Sequence, residues 1–329
     1  MALTSTPIEE AGKRSGAEHA AETVVPLLHV AWLRWSVVRR TVYSLLGVGN
    51  TEELIRRVVD VEGCRARSDW LAKLYEALMR VVPGGEEARR LLGELVAEGV
   101  WVTPFFSERY PCELLRYPAR GDYLYPPLML YWLGQRIDPN EKPAVAVVGT
   151  RRCSAAGRAL AREIGKMLAR LGLFLVTGLA ECVDAEAARG ALEEGGVVIG
   201  VRPWLRPLSL PREARQLLGR LGRGLVIVSE NPSKPARGSV KRLYFLRNRI
   251  IAGMARLVVV VEALPGGGSM HQVELALRRG KPVAIHEPPQ GTPYHEAYKV
   301  YREKGAKSFR TLNELEEIIK ETITESTGH

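Results

Sequence analysis

Across the thirty-one residues between Glu230 and Glu262 the chain carries no Asp or Glu at all. Other absences narrow the field further. No apolar run reaches the roughly 18 residues of a membrane-spanning helix, so a membrane role is not expected. The four cysteines are scattered without a Cys-x-x-Cys pair or a finger-spaced histidine, which argues against a zinc site. No Gly-x-Gly-x-x-Gly follows a strand and no Gly-Lys-Ser/Thr closes a phosphate loop, so neither NAD binding nor ATP hydrolysis is expected. The six histidines include no member with a Ser or Cys partner at triad-like spacing, and His271 and His286 read as packing or surface residues. The first twenty residues mix charged and small side chains without a signal-peptide core, and a disordered tail is expected there. A cytoplasmic protein without cofactor or metal is the expectation.

What is present is basic charge. The net charge is +10, and the acid-free stretch holds Lys234, Arg237, Lys241, Arg242, Arg247, Arg249 and Arg256 before the apolar run 257–261. An uncompensated basic surface feeding a buried strand suits a polyanion, although charge runs are ordinarily solvated faces. At its centre Arg247, Asn248 and Arg249 offer forked guanidinium donors and an amide, which match phosphate oxygens and base edges.

Two textures divide the chain. From 24 to 98, apolar residues recur at three- and four-residue steps over 24–46, 54–59, 70–82 and 88–96, punctuated by Gly47-Val-Gly-Asn50 and Pro83-Gly-Gly85. This predicts a small helical N-terminal domain (21–98); its Gly-x-Gly turn fits either helix packing or a contact with a DNA backbone. After Gly99, valine-rich runs at 145–148, 173–176, 197–201, 225–228, 257–261 and 282–285 alternate with helical stretches at 157–171, 184–194, 211–221, 241–255 and 270–279. Continuous apolar strands alternating with helices predict an α/β fold: a doubly wound, mostly parallel, Rossmann-like sheet over 99–291. A helical extension (292–329) is expected to follow. In such sheets ligands bind beyond the carboxyl ends of the strands, at the switch point.

Three strand ends there carry anion-binding chemistry. The first is Gly149-Thr-Arg-Arg-Cys-Ser154 with Gly157 opening a helix, where Arg151 or Arg152 adds charge to bare N–H groups. The second is Thr177-Gly-Leu-Ala180, with Asp184 expected to cap the next helix. The third runs from Glu262 through Gly266-Gly-Gly-Ser269. Cys153 and Cys182 both fall just after neighbouring strands; free thiols are the default in a reducing compartment, with a contact or disulfide between these two as the alternative. Glu230, Glu262 and Glu274 are expected to neutralise nearby arginines, or to do acid/base work if they converge on the groove.

These residues resemble the DNA-processing protein A family (DprA, also called Smf). The likeness runs through Tyr110-Pro-Cys-Glu-Leu114, Tyr125-Pro-Pro-Leu-Met-Leu-Tyr-Trp-Leu-Gly134, Val147-Val-Gly-Thr-Arg151 with Ser154 and Gly157, and Thr177-Gly-Leu-Ala180 with Asp184 and Ala191-Leu192. It continues through Ser229-Glu-Asn-Pro232, Phe245-Leu-Arg-Asn-Arg-Ile-Ile-Ala-Gly253, Val260-Val-Glu-Ala263 and Gly268-Ser269. The resemblance implies a dimeric, non-catalytic protein of DNA recombination that binds single-stranded DNA, protecting it or helping to load a RecA-type recombinase; natural transformation and general recombination would use the same groove. Carried over, the contacts fall on Gly149, Arg151, Ser154, Gly178, Arg247, Asn248 and Arg249, to which Arg152 and Ser269 are added as neighbours on the same turns. Tyr244 and Phe245 are candidates for base stacking, with burial in the core the competing fate of Phe245.

The chain departs from the family at three places. Gly-Ile-Asp stands as Cys182-Val-Asp184, Ala-His as Ala187-Ala188, and Ser-Gly-Ser-Leu-x-Thr loosely as Gly267-Gly-Ser-Met-His-Gln272. The same superfamily holds cytokinin-activating (LOG-type) phosphoribohydrolases, marked by Pro-Gly-Gly-x-Gly-Thr-x-x-Glu, and molybdenum-cofactor carriers. Pro265-Gly-Gly-Gly-Ser-Met-His-Gln-Val-Glu274 is similar to the former motif but one residue out of step, and its companion Met-x-x-Arg-Lys is missing. Cleavage of nucleoside monophosphates, with Glu274 as its carboxylate, or carriage of a nucleotide are the competing readings.

Overall fold

A computed structural model describes residues 24–31, 35–82, 85–116, 126–235 and 239–325. The expected N-terminal tail lies outside them. The chain divides into two compact units, one up to Glu94 together with Phe106–Glu108, the other comprising Leu95–Phe105 and everything from Arg109 onward.

In the first unit, residues 24–31 are helical and are followed by α1 (Trp35–Leu46), α2 (Thr51–Val58), α3 (Ser68–Val81) and all but the last three residues of α4 (Gly85–Ala97). A two-residue ribbon, β1 (Val59–Asp60) against β2 (Arg65–Ala66), had no signature in the helical periodicity. The Gly-x-Gly turn is consumed by capping. Gly47 ends α1 at φ 62°, a conformation glycine adopts without steric cost. The Asn50 side chain accepts from Glu53 N (2.9 Å), and Glu53 Oε2 accepts in return from Gly49 N (2.8 Å), which starts α2.

The second unit is built on a nine-stranded sheet of order β11-β10-β9-β5-β6-β7-β8-β4-β3. Its strands are β3 (Val100–Pro104), β4 (Met129–Leu133), β5 (Ala144–Val148), β6 (Phe174–Thr177), β7 (Val198–Val201), β8 (Leu225–Ser229), β9 (Leu257–Val260), β10 (Val283–His286) and β11 (Lys307–Phe309). From β11 to β8 every pairing is parallel, while β4 runs antiparallel to both β8 and β3. Strands β5 to β9 are buried along their whole length, as helices on both faces require.

Three strands were not anticipated. β3 and β4 are aromatic-rich rather than valine-rich, and they meet through a register pair, Trp101 opposite Trp132, whose rings stack at 4.7 Å. Trp132 Nε1 donates to Thr103 Oγ1 (2.8 Å) within the same pair of strands. β11 lies inside the stretch expected to be purely helical, between α11 (His295–Glu303) and α12 (Leu312–Glu325), and it extends the sheet beside β10.

The remaining helices are α5 (Cys112–Arg116), α6 (Ala155–Arg170), α7 (Val183–Glu193), α8 (Arg212–Arg215, continued as a 3-10 turn), α9 (Val240–Met254) and α10 (Gly268–Arg278). Helices α6 and α7 touch backbone to backbone. A Cβ on Gly165 would stand 2.0 Å from Ala187 O, and one on Gly190 2.0 Å from Arg162 O, so both positions require glycine. Chain progression runs outward from β5 to β8, then α9 carries the chain back across the sheet to β9 on the other side of β5. The switch point is therefore the crevice beyond the carboxyl ends of β5 and β9. No helix among the described residues is long and apolar enough to cross a membrane.

Candidate nucleic-acid interface

At that crevice lies a cavity of about 660 Å³, walled mainly by three segments, with Ala180 and Asp184 beyond β6 and His271 and Gln272 of α10 completing the lining. The turn after β5 supplies Gly149, Thr150, Arg151 and Arg152; the turn after β9 supplies Leu264 and 266–269; α9 supplies Lys241, Tyr244, Phe245, Arg247 and Asn248. Positions 241, 244, 245 and 248 recur at helical spacing, so one face of α9 closes the cavity.

Each wall is fixed by its own bonds. Thr150 N donates to Glu262 O (2.7 Å), which ties the two turns together. Arg152 N donates to Thr150 Oγ1 (3.1 Å), and Arg152 O accepts from the Tyr294 hydroxyl (2.9 Å). Cys153 and Cys182 form a disulfide, correcting the expectation of free thiols at these two positions. Cys182 holds φ 64°, the left-handed region that favours glycine, which accounts physically for glycine at this place in the family pattern. Its bridge to Cys153 holds the non-glycine residue there.

The sequence-derived site residues separate into two groups. Gly149, Arg151, Arg152, Arg247, Asn248 and Ser269 all line the cavity. Arg151 and Arg152 are exposed, as is Lys241. Arg247 is buried, and its Nη1 donates to Gly178 O (2.8 Å) and Val201 O (2.7 Å) at the ends of β6 and β7. Burial, and then the neighbouring Arg202 charge, lower its pKa to about 10; Asp184 opposes them. The Asn248 amide oxygen accepts from Gln272 Nε2 (3.2 Å).

The others are engaged elsewhere. Arg249, expected to hold phosphate, is instead 3% exposed and committed to a two-pronged ion pair with Glu230 (2.7 and 2.6 Å). The reason is helical phase: at about 100° per residue, positions 247 and 249 point some 200° apart, to opposite flanks of α9. Ser154 caps α6, accepting from Gly157 N (2.9 Å) while its hydroxyl donates to Glu262 Oε1 (2.6 Å). Ser154 N donates to Glu262 Oε2 (2.8 Å), so the chain's own carboxylate occupies the anion position expected at this helix N-terminus. A Cβ on Gly157 would lie 2.4 Å from that carboxylate, hence the glycine.

Gly178 likewise does not face the cavity as a donor. Its N–H goes to Asp184 (3.1 Å), and a Cβ there would stand 2.3 Å from Arg247 Nη1. Asp184 is not the N-cap of α7 that was expected. It sits inside the first turn and gathers Gly178 N and Ala180 N (3.3 Å); burial raises its pKa, with Arg247 opposing.

One feature escaped sequence reasoning. Arg202, directly after β7, is buried and donates to Gly178 O (2.9 Å) and Ser209 O (2.7 Å). Its signal was an arginine closing an all-apolar strand at the ligand edge of the sheet. With Arg151 and Arg247 it surrounds the Tyr244 ring, the three guanidinium carbons lying 5.8, 6.0 and 5.6 Å from the centroid. Phe245, a stacking candidate for which burial in the core was the competing expectation, is exposed and stacks on His271.

Glu274, the carboxylate needed by the hydrolase reading, is absent from the cavity wall and pairs with Lys304 (2.9 Å) at the surface. Among the described residues no three His, Cys, Asp or Glu side chains converge on a metal-sized site.

A sequence profile for DNA recombination-mediator protein A matches residues 101–322, the whole sheet from β3 into α12. The chain belongs to this family. Within the recombination-mediator family, the Smf protein of Synechocystis is 39% identical over 151 residues, which is 44% of this chain and 37% of that protein. This chain thus spans little more than a third of the Synechocystis protein. The crystal structure of the Streptococcus pneumoniae DNA processing protein A superposes with a TM-score of 0.58 at 24% identity, over 91% of this chain and 96% of that one. The Helicobacter pylori family member, studied for its single-stranded DNA binding mode, superposes with a TM-score of 0.52 at 23% identity, covering 60% and 89%. Both show that the recombination-mediator fold is shared. Its members are DNA-processing proteins.

Proposed function

We propose that the cavity between the β5 and β9 turns holds the backbone of single-stranded DNA, and that the chain acts as a non-catalytic mediator in DNA recombination. The observation that carries this reading is an imbalance of charge. Arg151, Arg152, Lys241 and Arg247 face the cavity, against a single carboxylate, Asp184, which is buried and already shared between two backbone N–H groups. The N-terminus of α10 opens into the same space with Gly267 as N-cap and no side-chain cap, leaving bare N–H groups for a phosphate.

Arg151, Arg152 and Lys241 are assigned to phosphates, and Arg247 with Arg202 to holding the ends of β6 and β7 in place. The Helicobacter pylori relative supports single-stranded DNA as the polyanion. The family likeness supports the wider role: a cytoplasmic homodimer that delivers the coated strand to a RecA-type recombinase.

Fluorescence anisotropy with single- and double-stranded oligonucleotides at several salt concentrations tests the core of this. Three phosphates neutralised on a single strand give a log–log salt slope of about −2. Arg151→Ala is expected to flatten that slope by about 0.7 and to weaken all sequences alike. Equal affinity for duplex, or an unchanged slope, would sink the assignment.

A further inference from the structure

Phe245 is the one aromatic among the large apolar side chains left exposed in the described residues, with 44% of its surface open. The buried run of its helix, Arg247–Met254, begins two residues further on. The ring lies on the cavity wall, and one of its faces is covered by the His271 imidazole, at a centroid separation of 3.6 Å and an interplanar angle of 21°. His271 is itself part of that wall, its Nε2 is buried without a hydrogen-bond partner, and burial lowers its pKa. Two aromatic planes are thus stacked, and the outer one presents its free face to the cavity.

The neighbouring ring makes the contrast plain. Tyr244 is hemmed in by the guanidinium groups of Arg151, Arg202 and Arg247 and packs edge-on against Trp204. Its π-face is already engaged by cations. Phe245 is the ring of this site with a face to offer.

Resting on the single-stranded DNA reading, we infer that the Phe245–His271 pair is a stacking platform for one unpaired base of the strand whose phosphates lie on Arg151 and Arg152. A flat apolar face beside exposed cations fits a nucleotide, which joins a π-surface to an anion. It fits poorly a purely apolar partner, which would leave the cations desolvated. Every base has a π-face, so the platform adds affinity without sequence preference. A base in a duplex keeps both faces stacked on its neighbours, so the platform also selects single strands. Phe245 opens the segment that resembles the family's Arg-Asn-Arg motif, whereas His271 falls in the segment that departs from the family's Ser-Gly-Ser-Leu-x-Thr.

The test compares an oligothymidylate with an oligonucleotide of equal length whose sugars are abasic at successive positions. Wild-type protein is expected to bind the thymidylate about tenfold more tightly than the abasic strand. Phe245→Ala removes that difference while leaving the salt slope unchanged, and Phe245→Trp preserves it. The inference is overturned if Phe245→Ala binds thymidylate as wild type does, if it weakens both strands equally, or if it alters only the sedimentation mass, which would make Phe245 a contact between copies. Wild-type protein that binds neither strand overturns this inference and the DNA reading together, whereas loss through Arg151→Ala without loss through Phe245→Ala removes the platform alone.

Discussion

Two glycine-rich strand-to-helix turns meet at the floor of the cavity, and only one is open. After β5, the N-terminus of α6 is filled by the Glu262 carboxylate, which takes Ser154 N and the Ser154 hydroxyl. After β9, α10 starts from Gly267 with no side chain over its first N–H groups. In sequence the two look alike: glycine, small polar residues, then a helix. The difference is made by a residue 108 positions away from the turn it closes. A glycine-rich turn is therefore an anion site only when the fold brings no carboxylate of its own to it. The same division separates Arg247 from Arg249, two residues apart on α9, one facing the cavity and the other consumed by Glu230.

Breaking the consumed partner of that second pair has the largest expected effect. Arg249→Ala leaves Glu230 buried without its main counter-charge and should cost about 3–5 kcal/mol of stability in a urea titration. The salt slope of oligonucleotide binding should not move; a slope flattened by one phosphate would return Arg249 to the groove. Opening the closed turn comes next. Glu262→Ala strips the Ser154 N–H and hydroxyl of their acceptor and should cost roughly 2–3 kcal/mol. A loss well under 1 kcal/mol would mean that the α6 terminus does not depend on its own carboxylate. Closing the open turn is the smallest change. Gly268 has free space where a Cβ would stand, so Gly268→Asp can place a carboxylate on the first turn of α10. Oligonucleotide affinity should fall about three- to tenfold, with stability unchanged or higher by roughly 0.5 kcal/mol. Undiminished affinity would show that the α10 terminus takes no phosphate.

The parallel sheet was legible because its strands are unbroken apolar runs, which only a sheet covered on both faces tolerates. Its antiparallel margin was not. Trp101, Tyr131 and Trp132 lie in segments whose strand character comes from pairing with each other rather than from a valine pattern. Within the site, the residues carried by backbone turns could be placed, since the carboxyl edge of such a sheet is set by topology: Gly149, Arg151, Arg152 and Ser269 stand on the cavity wall. What misled was reading Arg247-Asn248-Arg249 as one cluster. Adjacent in sequence on a helix means divergent in space, and the 3.6-residue period already implied it. Two other outcomes, the engagement of Ser154 and the exposure of Phe245, could not be read locally. The carboxylate that engages the one, and the imidazole that leaves the other half uncovered, come from distant segments no local pattern announces.

Because a covalent bridge runs from Cys153 to Cys182, the Arg151–Arg152 turn is anchored at the head of α7 before any ligand arrives. A strand settling there meets a surface with little motion left to surrender, so the entropic cost of immobilising that turn has been met in advance. Differences between good and poor ligands should then be read in residence time rather than in speed of arrival.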